Sequence, residues 1–390
     1  MHYLEIGGAE TSLIGLLHSF DYQKYDVDLF LYSHQGEMMK YIPEQVNLLK
    51  EEKAYRCIES SMTEALKSGE VFIACARMWA KYQFHKYQKK NKVSDGSAIF
   101  QYIQDAVCPF LPSLEKYGEY DLAISYLTPH RIVLDKVKAK KKIEWIHTDY
   151  TQINIDVQRE FKVWKAYDYI ASISDDVTKS FLTLFPSLEN KILLFENILS
   201  DKIVKDRAAE QIVHFLGEPN RINLLSIGRF SHAKNYDNVP DICKKIRQHN
   251  LNVYWYIIGY GSDEELIKTK IQESGMQSYV ILLGKKENPY PYIKACDFYV
   301  QPSRYEGKSV TVREAQLLGK PVIISNYPTA SSQVTDGIDG KIVAQPNDEC
   351  ANEMSEFLLD YKKQQSIIEN IYQKDYTNAC EICKLYGILN

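Results

Sequence analysis

Two glutamates eight positions apart, Glu306 and Glu314, bracket the run Gly307-Lys308-Ser309-Val310. Each oxygen of a carboxylate accepts a hydrogen bond, so these groups suit vicinal diols. Glu306 is placed to meet a sugar's hydroxyls, and Glu314 the ribose hydroxyls of a nucleotide. Ser309 has the chemistry of a helix cap, and Val310 opens a helical pattern that continues to Leu318. Amide N–H groups at such a start, near Ser309 and Val310, attract an anion with help from the helix dipole. Gly307, which has no Cβ, lets the backbone come close to it.

A second run, Gly228-Arg229-Phe230-Ser231-His232-Ala233-Lys234-Asn235, puts two cations on one loop. A guanidinium grips two oxygens in a fork and an ammonium adds a point charge, a combination that suits a diphosphate. If that diphosphate is a leaving group, Arg229 and Lys234 stabilise the charge that grows as its bond breaks. In the N-terminal half, Gly7-Gly8-Ala9-Glu10 is a glycine turn opening a helix, able to offer backbone N–H groups to the same anion. His147, in Trp145-Ile146-His147-Thr148-Asp149, is an imidazole at a strand end that can bond a sugar hydroxyl or bear developing charge. Gly259-Tyr260-Gly261 says less, because tight turns need glycine regardless and no GxGxxG with a spaced acid completes a dinucleotide fingerprint. Singly, each group has an ordinary explanation: a solvated helix face, a surface loop, a satisfied histidine. Together they supply cations, a helix start, diol-binding carboxylates and a histidine, all at strand ends.

Those strand ends belong to a regular scaffold. Short apolar runs alternate with helical spacing for nearly the whole length, the pattern of parallel α/β architecture. The first half predicts strands at 27–32, 122–126, 143–147 and 169–174, with a helix over 60–90. The second half predicts strands at 222–227, 253–258, 280–283, 298–301 and 322–325. Runs such as VYWYIIG suit strands buried on both faces. Open α/β sheets bind ligands beyond the carboxyl ends of their strands, where these candidate residues fall. A charged, aperiodic stretch at 200–219, with the turn signal Gly217-Glu218-Pro219-Asn220, separates a domain at 1–200 from one at 201–365. The tail reads as one or two helices. Only six residues precede Gly7, too few for the strand that normally feeds such a turn. The expectation is that the natural chain begins upstream of Met1 or that another segment replaces the strand.

Composition narrows the class. The 390 residues are 45% apolar and 25% charged, ordinary for a globular protein with two cores. A formal charge of −4 argues against a dedicated nucleic-acid binder. No apolar run approaches a membrane span, and the first ten residues lack the pattern of a secretory signal. The eight cysteines are scattered, as reduced thiols of a cytoplasmic protein are. Cys380 and Cys383 have CxxC spacing without a second pair, and read as thiols on one face of a terminal helix.

The segment from Glu306 to Glu314 with the following GKPVI, GRFSHAKN, GGAE and HTD together resemble the retaining GT-B glycosyltransferases of family 4, of capsule and exopolysaccharide type. The resemblance covers essentially the chain and is strongest from Asn223 to Val343. It implies two Rossmann-like domains whose parallel sheets face an inter-domain cleft, with the helix at 366–390 returning to the first domain. It implies that Arg229 and Lys234 hold the diphosphate, that Glu306 lies by the donor sugar, and that Glu314 binds the ribose. Lys308, Ser309 and Val310 would supply phosphate contacts, Gly8 another, and His147 would stand beside the reacting carbon. Lys308 departs from the apolar residue that many members carry. No cofactor or metal is implied; the nucleoside-diphosphate sugar, UDP- or GDP-linked, is the substrate.

The acceptor is expected to be a glycan or a lipid-linked molecule held mainly by the first half. Basic runs at 86–90 (KYQKK) and 136–142 (KVKAKKK) would suit peripheral contact with an anionic membrane on the cytoplasmic face. Two other readings stay open: an epimerase of the same fold, which needs acid and base groups on both faces of a sugar, and a non-catalytic nucleotide-sugar-binding subunit.

Overall fold

The computed structural model describes every residue except 6, 94, 95, 97, 151, 152, 216–219, 307 and 390. Gly307 and the turn signal at 217–219 thus lie outside the described residues. The chain divides into two compact units: Met1–Ile198 with Ala379–Asn390, and Leu199–Asn378.

In the second unit six parallel strands lie in the order β12-β11-β10-β7-β8-β9. They are β7 (Ile222–Ile227), β8 (Val253–Ile258), β9 (Val280–Gly284), β10 (Phe298–Gln301), β11 (Val322–Ser325) and β12 (Lys341–Val343). Alternate residues feed two cores, which is why the sequence runs are apolar throughout. Leu224, Trp255, Val300 and Ile323 pack on one face with helices Val239–Gln248, Asn347–Leu359 and Tyr361–Gln373. Leu225, Tyr256, Tyr299 and Val322 pack on the other with helices Tyr290–Ala295 and Val310–Leu317.

The first unit holds a parallel sheet ordered β3-β4-β5-β6: β3 (Glu119–Ser125), β4 (Lys138–Ile146), β5 (Tyr169–Ser172) and β6 (Ile192–Leu194). A separate parallel pair joins β1 (Asp28–Leu29) to β2 (Asn47–Leu48), much shorter than the strand expected at 27–32. Where a first strand was missing from the sequence, Met1 to Leu4 run alongside residues 32–35. Tyr32 and Ser33 donate their N–H groups to Met1 and His2 carbonyls at 3.0 and 2.9 Å, and Leu4 donates to Gln35 at 2.9 Å. Below this segment, helix Gly8–His18, β1 and β3 enclose a cavity of about 540 Å³ lined by Leu13, Leu17, Leu29, Leu122 and Ile124.

Two further expectations need correction. The helix expected over 60–90 is two, Met62–Lys67 and Val71–Asn91, broken at Gly69, whose φ of +85° only glycine adopts freely. The tail does not belong to the first unit from 366 onward, as expected, and is two helices, Tyr361–Gln373 and Ile382–Leu389. Ile367, Ile371 and Tyr376 are buried in the core of the second unit, so the division falls between Asn378 and Ala379. Beyond it, Tyr386 stacks on Tyr25 with centroids 4.6 Å apart and accepts from the Asp21 N–H at 2.8 Å.

Candidate active site

In the second unit, β7 and β10 are neighbours, so the loops after them lie side by side. Two clamps join those loops. Asn235, held at a left-handed φ of +60°, donates from Nδ2 to the Pro302 carbonyl at 2.9 Å. Arg304 forks onto Asp237 at 2.9 and 2.7 Å and reaches the His232 carbonyl. The result is that Lys234 and Glu306 meet. Lys234 Nζ donates to Glu306 Oε1 at 2.5 Å, and the same oxygen accepts from Gln301 Nε2 at 2.8 Å and Ser303 Oγ at 2.6 Å. The Glu306 carbonyl is fixed by Thr329 Oγ1 at 3.0 Å.

The glycines at the strand ends serve close packing. A Cβ on Gly259 would stand 2.0 Å from the Gly228 carbonyl oxygen, and one on Gly261 would stand 2.3 Å from that of Phe230. A Cβ on Gly228 would press on the Lys234 side chain and on the Tyr236 hydroxyl. That hydroxyl is buried with no hydrogen-bond partner among the described residues, and burial raises its pKa well above the ordinary value, with Glu306 adding to the effect.

The start of helix Val310–Leu317 differs from expectation. Ser309 occupies the cap position, yet its side chain caps nothing. Its N–H is donated to Gln333 Oε1 at 3.2 Å, and its carbonyl accepts from Gln333 Nε2. The Ser309 amide is therefore engaged, and a phosphate at this end would meet Val310 and the residues after it, whose N–H groups have no acceptor within the helix. Lys308 is half-buried beside it. Glu314, 6% exposed, accepts from the Tyr290 hydroxyl at 2.7 Å, and burial raises its pKa. Arg229, on the same loop as Lys234, is exposed and makes no ion pair among the described residues.

In the first unit, Gly8 opens helix Gly8–His18, and a Cβ there would meet nothing. His147 follows directly on β4. Its Nε2 is buried with no partner among the described residues, and burial lowers its pKa to about 4, leaving the imidazole neutral at physiological pH. Its ring lies 4.7 Å from that of Tyr126. The Tyr126 hydroxyl donates to Ser12 Oγ at 2.7 Å, and Ser12 donates to Asn197 at 2.8 Å, tying the Gly8 helix to the ends of β3 and β6 and to the ring that lies against His147. Sequence reasoning missed Tyr126, Ser12, Tyr290 and Gln333, because nothing in their spacing marks them as partners.

In the basic run at 136–142 the cations have partners on the protein, although Lys138 and Lys140 stay more than half exposed. Lys138 pairs with Glu119 at 3.0 Å and Lys140 with Asp121 at 2.7 Å across β3 and β4, while Lys142 reaches the Leu134 carbonyl. Among the described residues no helix is long and apolar enough to cross a membrane.

Residues 209–374 match the family model described as Glycosyl transferases group 1. An uncharacterized glycosyltransferase of Methanocaldococcus jannaschii is 24% identical over 229 residues, 53% of this chain and 57% of that one. An uncharacterized 41.2 kDa protein from the cps region of Klebsiella pneumoniae is 26% identical over 280 residues, 70% of each. The chain thus spans little more than half the length of the first of these relatives. Among solved structures, Anabaena HepE in complex with UDP and glucose superposes with a TM-score of 0.65 at 14% identity, over 99% of this chain and 96% of that one. At that identity the likeness establishes the fold, which is GT-B.

Proposed function

We propose, from the match of residues 209–374 to the Glycosyl transferases group 1 model, that the second unit is that of a glycosyltransferase. A retaining enzyme of the family 4 type moves a hexose from a UDP- or GDP-linked donor to a glycan or lipid-linked acceptor in cell-surface polysaccharide synthesis. The cps-region relative and the UDP-bound neighbour support this reading. One observation carries it: Lys234 and Glu306 converge at the carboxyl ends of adjacent strands, where open α/β sheets take their ligands.

In this reading Lys234, Arg229 and the helix start at Val310 face the diphosphate, with Lys308 alongside and Gly8 adding an amide. Glu306 faces the donor sugar and Glu314 the ribose. The bond from the sugar's anomeric carbon to the diphosphate breaks, and charge grows on the departing oxygen, where the cations act. The acceptor hydroxyl bonds to that carbon on the same face and gives its proton to the departing diphosphate. His147, neutral, lies by the reacting carbon. No metal takes part, and the enzyme works in the cytoplasm, peripheral to the membrane.

Thermal-shift screening against nucleoside diphosphates and their sugars tests the donor, because a ligand bound by the folded state alone raises apparent stability. The expected result is a shift with one UDP- or GDP-sugar and a transfer product that keeps the donor's anomeric configuration by NMR. A product of inverted configuration, or turnover abolished by EDTA, would overturn the mechanism.

A further inference from the structure

The helix Val71–Asn91 is apolar on two opposite sides. Ile73, Ala76, Ala80 and Phe84 point into the core of the first unit. On the other side, at helical spacing, stand Phe72, Cys75, Trp79 and Tyr82, followed in the last turns by Lys86, Lys89 and Lys90. Phe72 is 71% exposed, Trp79 58% and Tyr82 60%. Phe110, also exposed, stacks on Phe72 with centroids 5.9 Å apart and widens the patch. The three lysines make no ion pair among the described residues. A contiguous apolar face of this kind, rimmed by charge, marks a surface that something covers.

The chemistry of the face selects what covers it. Trp and Tyr have an apolar body and a polar tip, which is the composition favoured at the headgroup level of a bilayer. Lysines bury their stems along such a surface and carry their charges to the phosphates. Here the aromatic turns and the cationic turns share one side of one helix. We propose that this face docks the protein on an anionic membrane, with Phe72, Trp79 and Tyr82 at the headgroup boundary and Lys86, Lys89 and Lys90 on lipid phosphates. A lipid-linked acceptor at that membrane rests on the function proposed above; the docking itself does not need it.

The protein carries its own reporter. Of four tryptophans, Trp145, Trp164 and Trp255 are buried, so a change in the emission of bound protein belongs to Trp79. The full chain is mixed with vesicles of phosphatidylcholine alone or with about one third phosphatidylglycerol, and binding is read by co-sedimentation and by tryptophan emission. The expected result is a blue shift and co-sedimentation with the anionic vesicles only. The double variant Phe72→Ser/Tyr82→Ser, which keeps the reporter, should lose both. Lys86→Glu/Lys89→Glu/Lys90→Glu should weaken partitioning on the order of a hundredfold or more. These side chains are exposed, and circular dichroism checks that the variants fold. Unshifted emission of folded protein on anionic vesicles overturns the proposal. So does a blue shift on concentrating the protein without lipid, with doubled mass in ultracentrifugation, which would make the face an interface between two copies. Donor thermal shifts taken without lipid on the same preparation read the sugar chemistry separately.

Discussion

The hydroxyl of Tyr290 donates to the Glu314 carboxylate at 2.7 Å across 24 residues of sequence. Glu314 is buried on a helix packed against the sheet, and burial raises its pKa, so this bond does much to keep it charged. Tyr290→Phe removes the bond and leaves a buried carboxylate poorly satisfied. If Glu314 holds the ribose, KM for the donor should rise on the order of tenfold with kcat little changed, as for loss of one bond to a charged group. Initial rates over a range of donor concentration measure this. An unchanged KM would detach Glu314 from the donor.

Lys234 is expected to act on the leaving group. Lys234→Ala should lower kcat on the order of a hundredfold, the scale of losing one preorganised donor to developing charge. Single-turnover rates at saturating donor measure it. A loss confined to KM would mean that Lys234 binds the donor equally well before and during reaction.

His147 is held neutral by burial, with a pKa of about 4. Across roughly pH 5 to 8 its charge should therefore not change. The ratio of wild-type to His147→Ala turnover is expected to stay flat over that range. A ratio falling through the ordinary histidine range would show that the imidazole titrates freely.

Glu160, on helix Val157–Ala166, has its carboxyl pushed by burial from 4.5 to about 7. A raised folded pKa means that the native state holds the proton longer than the unfolded chain. Its stabilising contribution is complete below about 4.5 and is lost as pH rises to about 7. Glu160→Gln lacks that loss, so the variant should gain on wild type through this window, by at most about 3 kcal/mol. Denaturant melts at a series of pH values measure the difference. His130 and His147, with pKa lowered by burial, slope the other way but cancel in it.

The second unit was legible because its strands are buried on both faces. Five apolar runs from Ile222 to Ser325 stand as strands, and the expected ends at 227, 258, 301 and 325 coincide with those observed. The first unit was less so, because β1, β2 and β6 are only two or three residues long and leave little periodicity to read. In the site, Lys234 and Glu306 were visible as charges at strand ends. Their supports were not. Gln333 holds both backbone polar groups of Ser309 from a helix more than twenty residues away, and no local pattern announces such a partner. The glycines at 259 and 261 carried little weight as a motif, yet their place is dictated by backbone packed against backbone.

Strand order has a consequence for how such chains change length. Lys234 and Glu306 are 72 residues apart, but they hang from β7 and β10, which touch in the middle of the sheet. Before the chain returns to form β10, its two intervening strands, β8 and β9, build the flank that ends in β9. A loop lengthened there, or a further strand added beyond β9, leaves the two charges facing each other. Insertions along that flank are thus tolerated without retuning the pair, whereas a one-residue slip between β7 and β10 would part it.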